Sequence, residues 1–245
     1  MGAKILVNGV AGSGKTNLIK TLTDAFVVSR DGKAFPFNIP HMVVPEFYSM
    51  DIMINGGEVE VDGEGVVIEG FYDKMEKYNE KIGSYPKTIV LDSASKLMQD
   101  IIDFANLNFT NFDIHSHINR EIAVLTKFVQ EGLVANDMNV VIINHVMDND
   151  KLGLIPIGQG KFKDKGSWYS EVDHAILVEN MKVTHRGVKS QARTTIATLP
   201  DKQYVENDVN PSKSKKLQDG EEYYDLQKHI DMILETQNSN AEWKF

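Results

Sequence analysis

The chain has 245 residues, a formal net charge of −9, 42% hydrophobic and 25% charged residues, and no cysteine. That length supports one sizeable α/β core, and the composition is that of an ordinary globular protein rather than a disordered one. Disulfides, thiol nucleophiles and thiolate metal sites are excluded, and no apolar run approaches a membrane span, so a cytoplasmic protein with no membrane partner is expected.

The acidic total speaks against a general nucleic-acid coat, but the charge is unevenly placed. Between Glu46 and Glu80 carboxylates dominate, with Asp51, Glu58, Glu60, Asp62, Glu64, Glu69, Asp73 and Glu76 set against Lys74 and Lys77. From Lys151 to Arg193, eight Lys/Arg face four Asp/Glu. This is either a basic face on an acidic protein or a set of cations scattered over a solvated surface.

In chain order, "KILVNG" reads as a buried strand and "TNLIKTLTDAF" as a helix with Leu18, Leu22 and Phe26 at helical spacing. "FVVS" is a second strand. The segment from Arg30 to Asp62 is punctuated by Pro and Gly, with short β-rich pieces in "HMVV" and "MDIMI". "GVVIEGF" is another strand, and "YDKMEKYNEKI" a helix stopped by "GSYP".

"KTIVLDS" is apolar up to an abrupt Asp92, and Ala94, Leu97, Met98, Ile101, Ile102 and Ala105 follow with helical period. "NLNFTNFDIHSH" breaks that pattern. Ile118, Ile122, Leu125, Val129 and Leu133 mark another helix, and "NVVIINH" another buried strand. Such alternation predicts an α/β fold with a mostly parallel sheet and helices on both faces. Beyond it come a polar, glycine-punctuated loop to Trp168, three short strands ("HAILVE", "MKVTH", "TTIATL"), a linker at "SKSKK" and an amphipathic helix in "EEYYDLQKHIDMILE". The division this suggests is a core over 1–200, with a β-rich C-terminal extension, and a linker plus terminal helix over 201–245.

The stretch "GVAGSGKT" joins the first strand to the first helix, and Gly9-x4-Gly14-Lys15-Thr16 fits a phosphate-binding loop. Glycines let successive N–H groups curl toward phosphates, and a helix N-terminus adds its positive end. Gly9, Gly12, Ser13, Gly14, Lys15, Thr16 and Asn17 are therefore candidate ATP-binding residues. Lys15 would reach β/γ-phosphate oxygens, and Thr16 would offer its hydroxyl to Mg²⁺. Asp92, at the end of a buried strand, is the candidate second magnesium ligand; the alternative role is a helix N-cap. Ser93 follows it, so a water-orienting base must come from elsewhere. Glu69 is the candidate, with Glu46 its competitor, and either can equally be a solvated carboxylate. His145, closing its strand beside Asn144, is a candidate γ-phosphate sensor or a structural histidine.

The order "GVAGSGKT", "TIVLDSASKL", helix, polar break, helix, "VVIINHV", a Gly/Lys-rich loop and a β-rich tail resembles the RecA-type P-loop recombinase core, and within it the small phage ATPases of single-strand annealing and recombination. The resemblance spans about Ala3 to Leu199. It implies an ATPase that binds single-stranded DNA, promotes annealing or strand exchange, and works in the cytoplasm of a bacterial host. By the resemblance, two loops would meet DNA: Asn106 to Asn119, with Phe109, Phe112, His115 and His117, and Met147 to Trp168, with Lys151, Lys161, Lys163 and Lys165. Stacking aromatics and phosphate-neutralising lysines suit that task, although the aromatics can equally be core.

The resemblance also implies a homo-oligomer, as a ring or short filament, with a single-strand-binding or other replication protein as a further partner. Lys182, Arg186, Lys189 and Arg193 are where a cation acting on a neighbour's nucleotide would lie. The chain begins at the first core strand, which puts long filaments in doubt. Two other readings stay open: a P-loop nucleoside or nucleotide kinase, against which the arginine-free Lys151–Trp168 stretch counts, and a nucleotide-gated binding module with little hydrolysis.

Overall fold

A computed structural model describes residues 1–11, 13–30, 32, 34–44, 46–149, 153–156, 168, 171–185, 188–198 and 225–241. Its centre is an eight-stranded sheet built from β1 (Lys4–Gly9), β2 (Ala25–Ser29), β3 (His41–Val43), β6 (Thr88–Asp92), β7 (Asn139–Asn149), β8 (Gly153–Pro156), β9 (His174–His185) and β10 (Val188–Thr198). The order is β10-β9-β1-β7-β6-β2-β3, with β8 paired to the outer part of β7. From β9 to β3 every pairing is parallel, while β10 and β8 are antiparallel to their neighbours.

Strands buried on both faces alternate between two cores. Leu6, Phe26, Val28, Ile89, Leu91, Val140 and Ile142 point to one face. There they meet α2 (Met50–Asn55), α3 (Phe71–Ile82), α4 (Ala94–Asn108) and α5 (Phe112–Lys127) through residues such as Met53, Phe71, Leu97, Ile101, Ile122 and Leu125. Ile5, Val7, Val27, Val90, Val141 and Ile143 point to the other, where Leu18, Ile19 and α6 (Leu226–Ala241) cover them. The expected mostly parallel sheet with helices on both faces is present.

Several local expectations fail for identifiable reasons. The helix read over "TNLIKTLTDAF" is one turn, α1 (Lys15–Leu18), continued by a 3₁₀ turn over Ile19–Thr21. The Thr21 hydroxyl donates back to Leu18 O at 2.8 Å, Leu22 is extended, and Asp24 has φ 53°, so the chain turns into β2 and Phe26 belongs to a strand. "MDIMI" is helical, because Ser49 caps α2 by accepting from Ile52 N at 3.2 Å. β4 (Gly57–Val61) and β5 (Glu64–Ile68) form a separate two-stranded hairpin. Its Asp62 and Gly63 both have positive φ, as a tight Asp-Gly turn requires.

The polar break over 106–119 is not a loop. α4 runs on to Asn108, α5 starts at Phe112, and only 109–111 turn between them. The segment after His145 begins as a β7–β8 hairpin, and "HAILVE" and "MKVTH" are one strand, β9. The terminal helix packs on the core. Leu226, Ile230 and Ile233 are buried with Leu18, Ile19 and the sheet, and Leu226 N donates to Thr21 Oγ1 at 2.9 Å.

Candidate functional site

The carboxyl edges of parallel strands are where open α/β sheets form their crevice. Register fixes which residues share that edge. Gly9 of β1 pairs with His145 of β7, Asp92 of β6 pairs with Ile143, and Ser29 of β2 pairs with Asp92. β7 therefore lies between the strand that enters the glycine loop and the strand that ends in Asp92.

The loop closes on itself tightly. Ser13 N donates to Val10 O at 3.1 Å and Asn17 N to Gly14 O at 2.9 Å. Gly14 has φ 98°, a conformation that favours glycine. A Cβ on Gly9 would lie 2.4 Å from Ser13 Oγ and 2.7 Å from Val178 O, so this backbone approach admits only hydrogen. Gly12 lies outside the described residues. Ser13 is fully buried, and its hydroxyl has no hydrogen-bond partner among the described residues. Because α1 is a single turn, its dipole contributes little, and the donors this loop could offer an anion are its N–H groups and Lys15.

Lys15 is buried, and its ammonium donates to Gly9 O at 2.7 Å and Val10 O at 2.9 Å. It also lies 3.3 Å from His145 Nδ1. An ammonium only donates, so in this contact Nδ1 is the acceptor. His145 N in turn donates to Ser95 Oγ on α4 at 3.2 Å. Beneath these, Asn144 Nδ2 lies 3.5 Å from Asn8 Oδ1.

Thr16 Oγ1 donates to Asp92 Oδ2 at 3.2 Å, and Asp92 is buried. A hydroxyl and a carboxylate in contact are a hard-oxygen pair of the kind Mg²⁺ takes, with the rest of its shell from water and phosphate. Among the described residues no group of three or more His, Asp or Glu could hold a metal by itself. The buried donor at Ser13, the glycine-only approach at Gly9 and this oxygen pair all fit a Mg²⁺–triphosphate. Ser93 takes the N-cap position expected as the alternative for Asp92, accepting from Lys96 N at 3.4 Å. The Asp92 carboxylate therefore faces Thr16.

Glu69 is not brought into this group. It follows β5, and its carboxylate is paired with Lys74 and Lys77 of α3. Those two ammonium groups hold its pKa down at about 2, which makes it a poor proton acceptor. Its competitor Glu46 accepts from Tyr48 OH at 3.1 Å.

Of the aromatic candidates, Phe109 stacks on His117 at 4.4 Å between ring centroids and packs against the core, whereas Phe112 is 86% exposed. His115 is exposed and His117 buried. Lys151, Lys161, Lys163 and Lys165 lie outside the described residues, as does Arg186. Lys182 falls in β9, and Lys189 and Arg193 in β10. A cavity of about 500 Å³ lies at the opposite edge, where β6 and β7 begin, lined by Tyr72, Tyr85, Lys87 and Met138, and none of the candidate residues reaches it.

Sequence reasoning missed Arg30, Ser95 and Asp100. Arg30 had a signal, since "AFVVSR" ends an apolar strand on a charge just as "TIVLD" does. Set against known proteins, the chain matches no family model and no curated relative.

Proposed function

We propose that the chain is a RecA-type P-loop ATPase that binds Mg²⁺–ATP at the end of β1, binds single-stranded DNA, and promotes annealing or strand exchange in phage recombination or repair. The observation that carries the reading is the meeting of Lys15, Thr16, Asp92 and His145 at one edge of a parallel sheet, around a glycine loop with a buried hydroxyl donor. Lys15 moves its donors from loop carbonyls to β/γ-oxygens, and Thr16 and Asp92 hold the metal. Magnesium, when bound, neutralises the charge shared by the β- and γ-phosphates. His145, whose Nδ1 faces Lys15, senses the γ-phosphate and passes its presence along β7 toward the segment that follows.

The DNA half of the reading is supported by the resemblance of the sequence, the cation excess between Lys151 and Arg193, and the exposed Phe112. A homo-oligomer, as a ring or short filament, and a single-strand-binding partner belong to the same reading. Engagement of Glu69 by two lysines favours one second reading, a nucleotide-gated binding module with slow hydrolysis. ATP turnover with and without a single-stranded oligonucleotide separates the two. DNA-stimulated hydrolysis is expected. Hydrolysis indifferent to DNA, with no shift of a labelled oligonucleotide, would reject the DNA-linked ATPase.

A further inference from the structure

Arg30 leaves β2 beside Asp92, and its backbone N–H donates to Asp92 O at 2.8 Å. Its guanidinium forms an ion pair with Asp100 of α4 through Nε and donates from Nη1 to Val44 O at 2.9 Å, just past β3. Asp100 is 7% exposed, with Lys96 Nζ 3.5 Å from its other oxygen. One side chain thus ties together three segments that leave the crevice edge of the sheet: the end of β2, the chain after β3, and α4.

The tie reaches the site from two directions. Through its own backbone Arg30 holds the residue whose carboxylate meets Thr16. Through Asp100 it pins α4, and Ser95 on the first turn of that helix accepts from His145 N, which faces Lys15. Buried ion pairs are weak evidence of stabilisation, because an apolar pair of similar volume often serves as well. A planar fork that bridges a carboxylate and a carbonyl, however, fixes geometry that a lysine cannot.

We propose that Arg30 and Asp100 form a positioning pair that sets the magnesium side of this site. The role rests on the ATPase reading. Groups behind metal ligands typically change metal affinity by about 10- to 100-fold when removed.

The test is calorimetric binding of ATP, once in EDTA and once in excess Mg²⁺. It is run on wild type, Arg30→Gln, Arg30→Lys and the double replacement Arg30→Met/Asp100→Leu. The double replacement removes both charges of the pair together, so that the buried Asp100 carboxylate is not left without Arg30. Wild type is expected to gain affinity with Mg²⁺. Arg30→Gln and the double variant are expected to bind ATP in EDTA within about twofold of wild type and to lose about tenfold of the Mg²⁺-dependent gain. Arg30→Lys falls between.

A folded variant that keeps the whole Mg²⁺ gain overturns the pair's role and leaves the ATPase reading standing. Equal losses in EDTA and in Mg²⁺ would mark a general structural part and overturn it too. Wild type that binds no ATP in either buffer sinks the ATPase reading, and this role with it.

Discussion

Replacing His229 by leucine isolates how the C-terminal helix is held against β9. His229 is 4% exposed, and its Nε2 lies 2.8 Å from Nδ1 of the buried His174 on β9. One imidazole donates its N–H to a ring nitrogen of the other. Burial, and then the neighbouring His174, push the His229 pKa from 6.5 down to about 4. Between those values the unfolded chain binds a proton that the folded chain refuses. The stabilisation is therefore complete above pH 6.5 and is lost as pH falls toward 4. At about 1.36 kcal/mol per pKa unit, the span from 6.5 to about 4 corresponds to about 3 kcal/mol.

The assay is urea unfolding followed by circular dichroism between pH 8 and pH 4.5. His229→Leu is expected to be less stable than wild type at pH 8, because the hydrogen bond between His174 and His229 is lost, by about 1–3 kcal/mol. On acidification to pH 4.5 it should lose about 2–3 kcal/mol less than wild type. Parallel stability curves for the two proteins would refute the reasoning.

Three further outcomes concern Phe112, Phe109 and Glu69. Phe112→Ala should leave the melting temperature unchanged, since the ring is exposed, and weaken single-stranded DNA binding by the roughly 1–3 kcal/mol of one stacked base. Phe109→Ala should destabilise the fold, since its ring stacks on His117, and oligonucleotide shifts beside thermal melts distinguish the pair. Glu69→Gln is expected to keep ATP turnover within about twofold of wild type, because a carboxylate held by two lysines is a poor base. A fall of about 100-fold would make Glu69 the base after all.

The central strands were legible because each is an apolar run ended by a polar residue at the crevice: Asn8 after Val7, Asp92 after Leu91, and Asn144-His145 after Ile143. Burial on both faces writes such runs directly into sequence. Leu18, Leu22 and Phe26 misled, because their four-residue spacing spans a helix turn, a bend and a strand. The β4–β5 hairpin was legible but unread, since "VEVDGEGVV" places Asp-Gly between apolar-alternating segments. The turn between α4 and α5 was hidden by the opposite fault. Asn106, Leu107 and Asn108 are exposed on a helix end and carry no apolar period.

The rest required tertiary contacts. Nothing local in "DLQKHIDMILE" says that Leu226 and Ile230 cover Leu18 and Ile19, or that a short first helix leaves that face for them to cover. Likewise Asp100 reads as a polar residue of an amphipathic helix until Arg30 is found opposite it.

The most direct measurement is ATP turnover and ATP binding by wild type and Lys15→Ala, each with and without single-stranded DNA. The account expects wild-type hydrolysis stimulated by DNA. Lys15→Ala should remove hydrolysis and weaken ATP binding while the protein stays folded. Turnover by Lys15→Ala equal to that of wild type would contradict it.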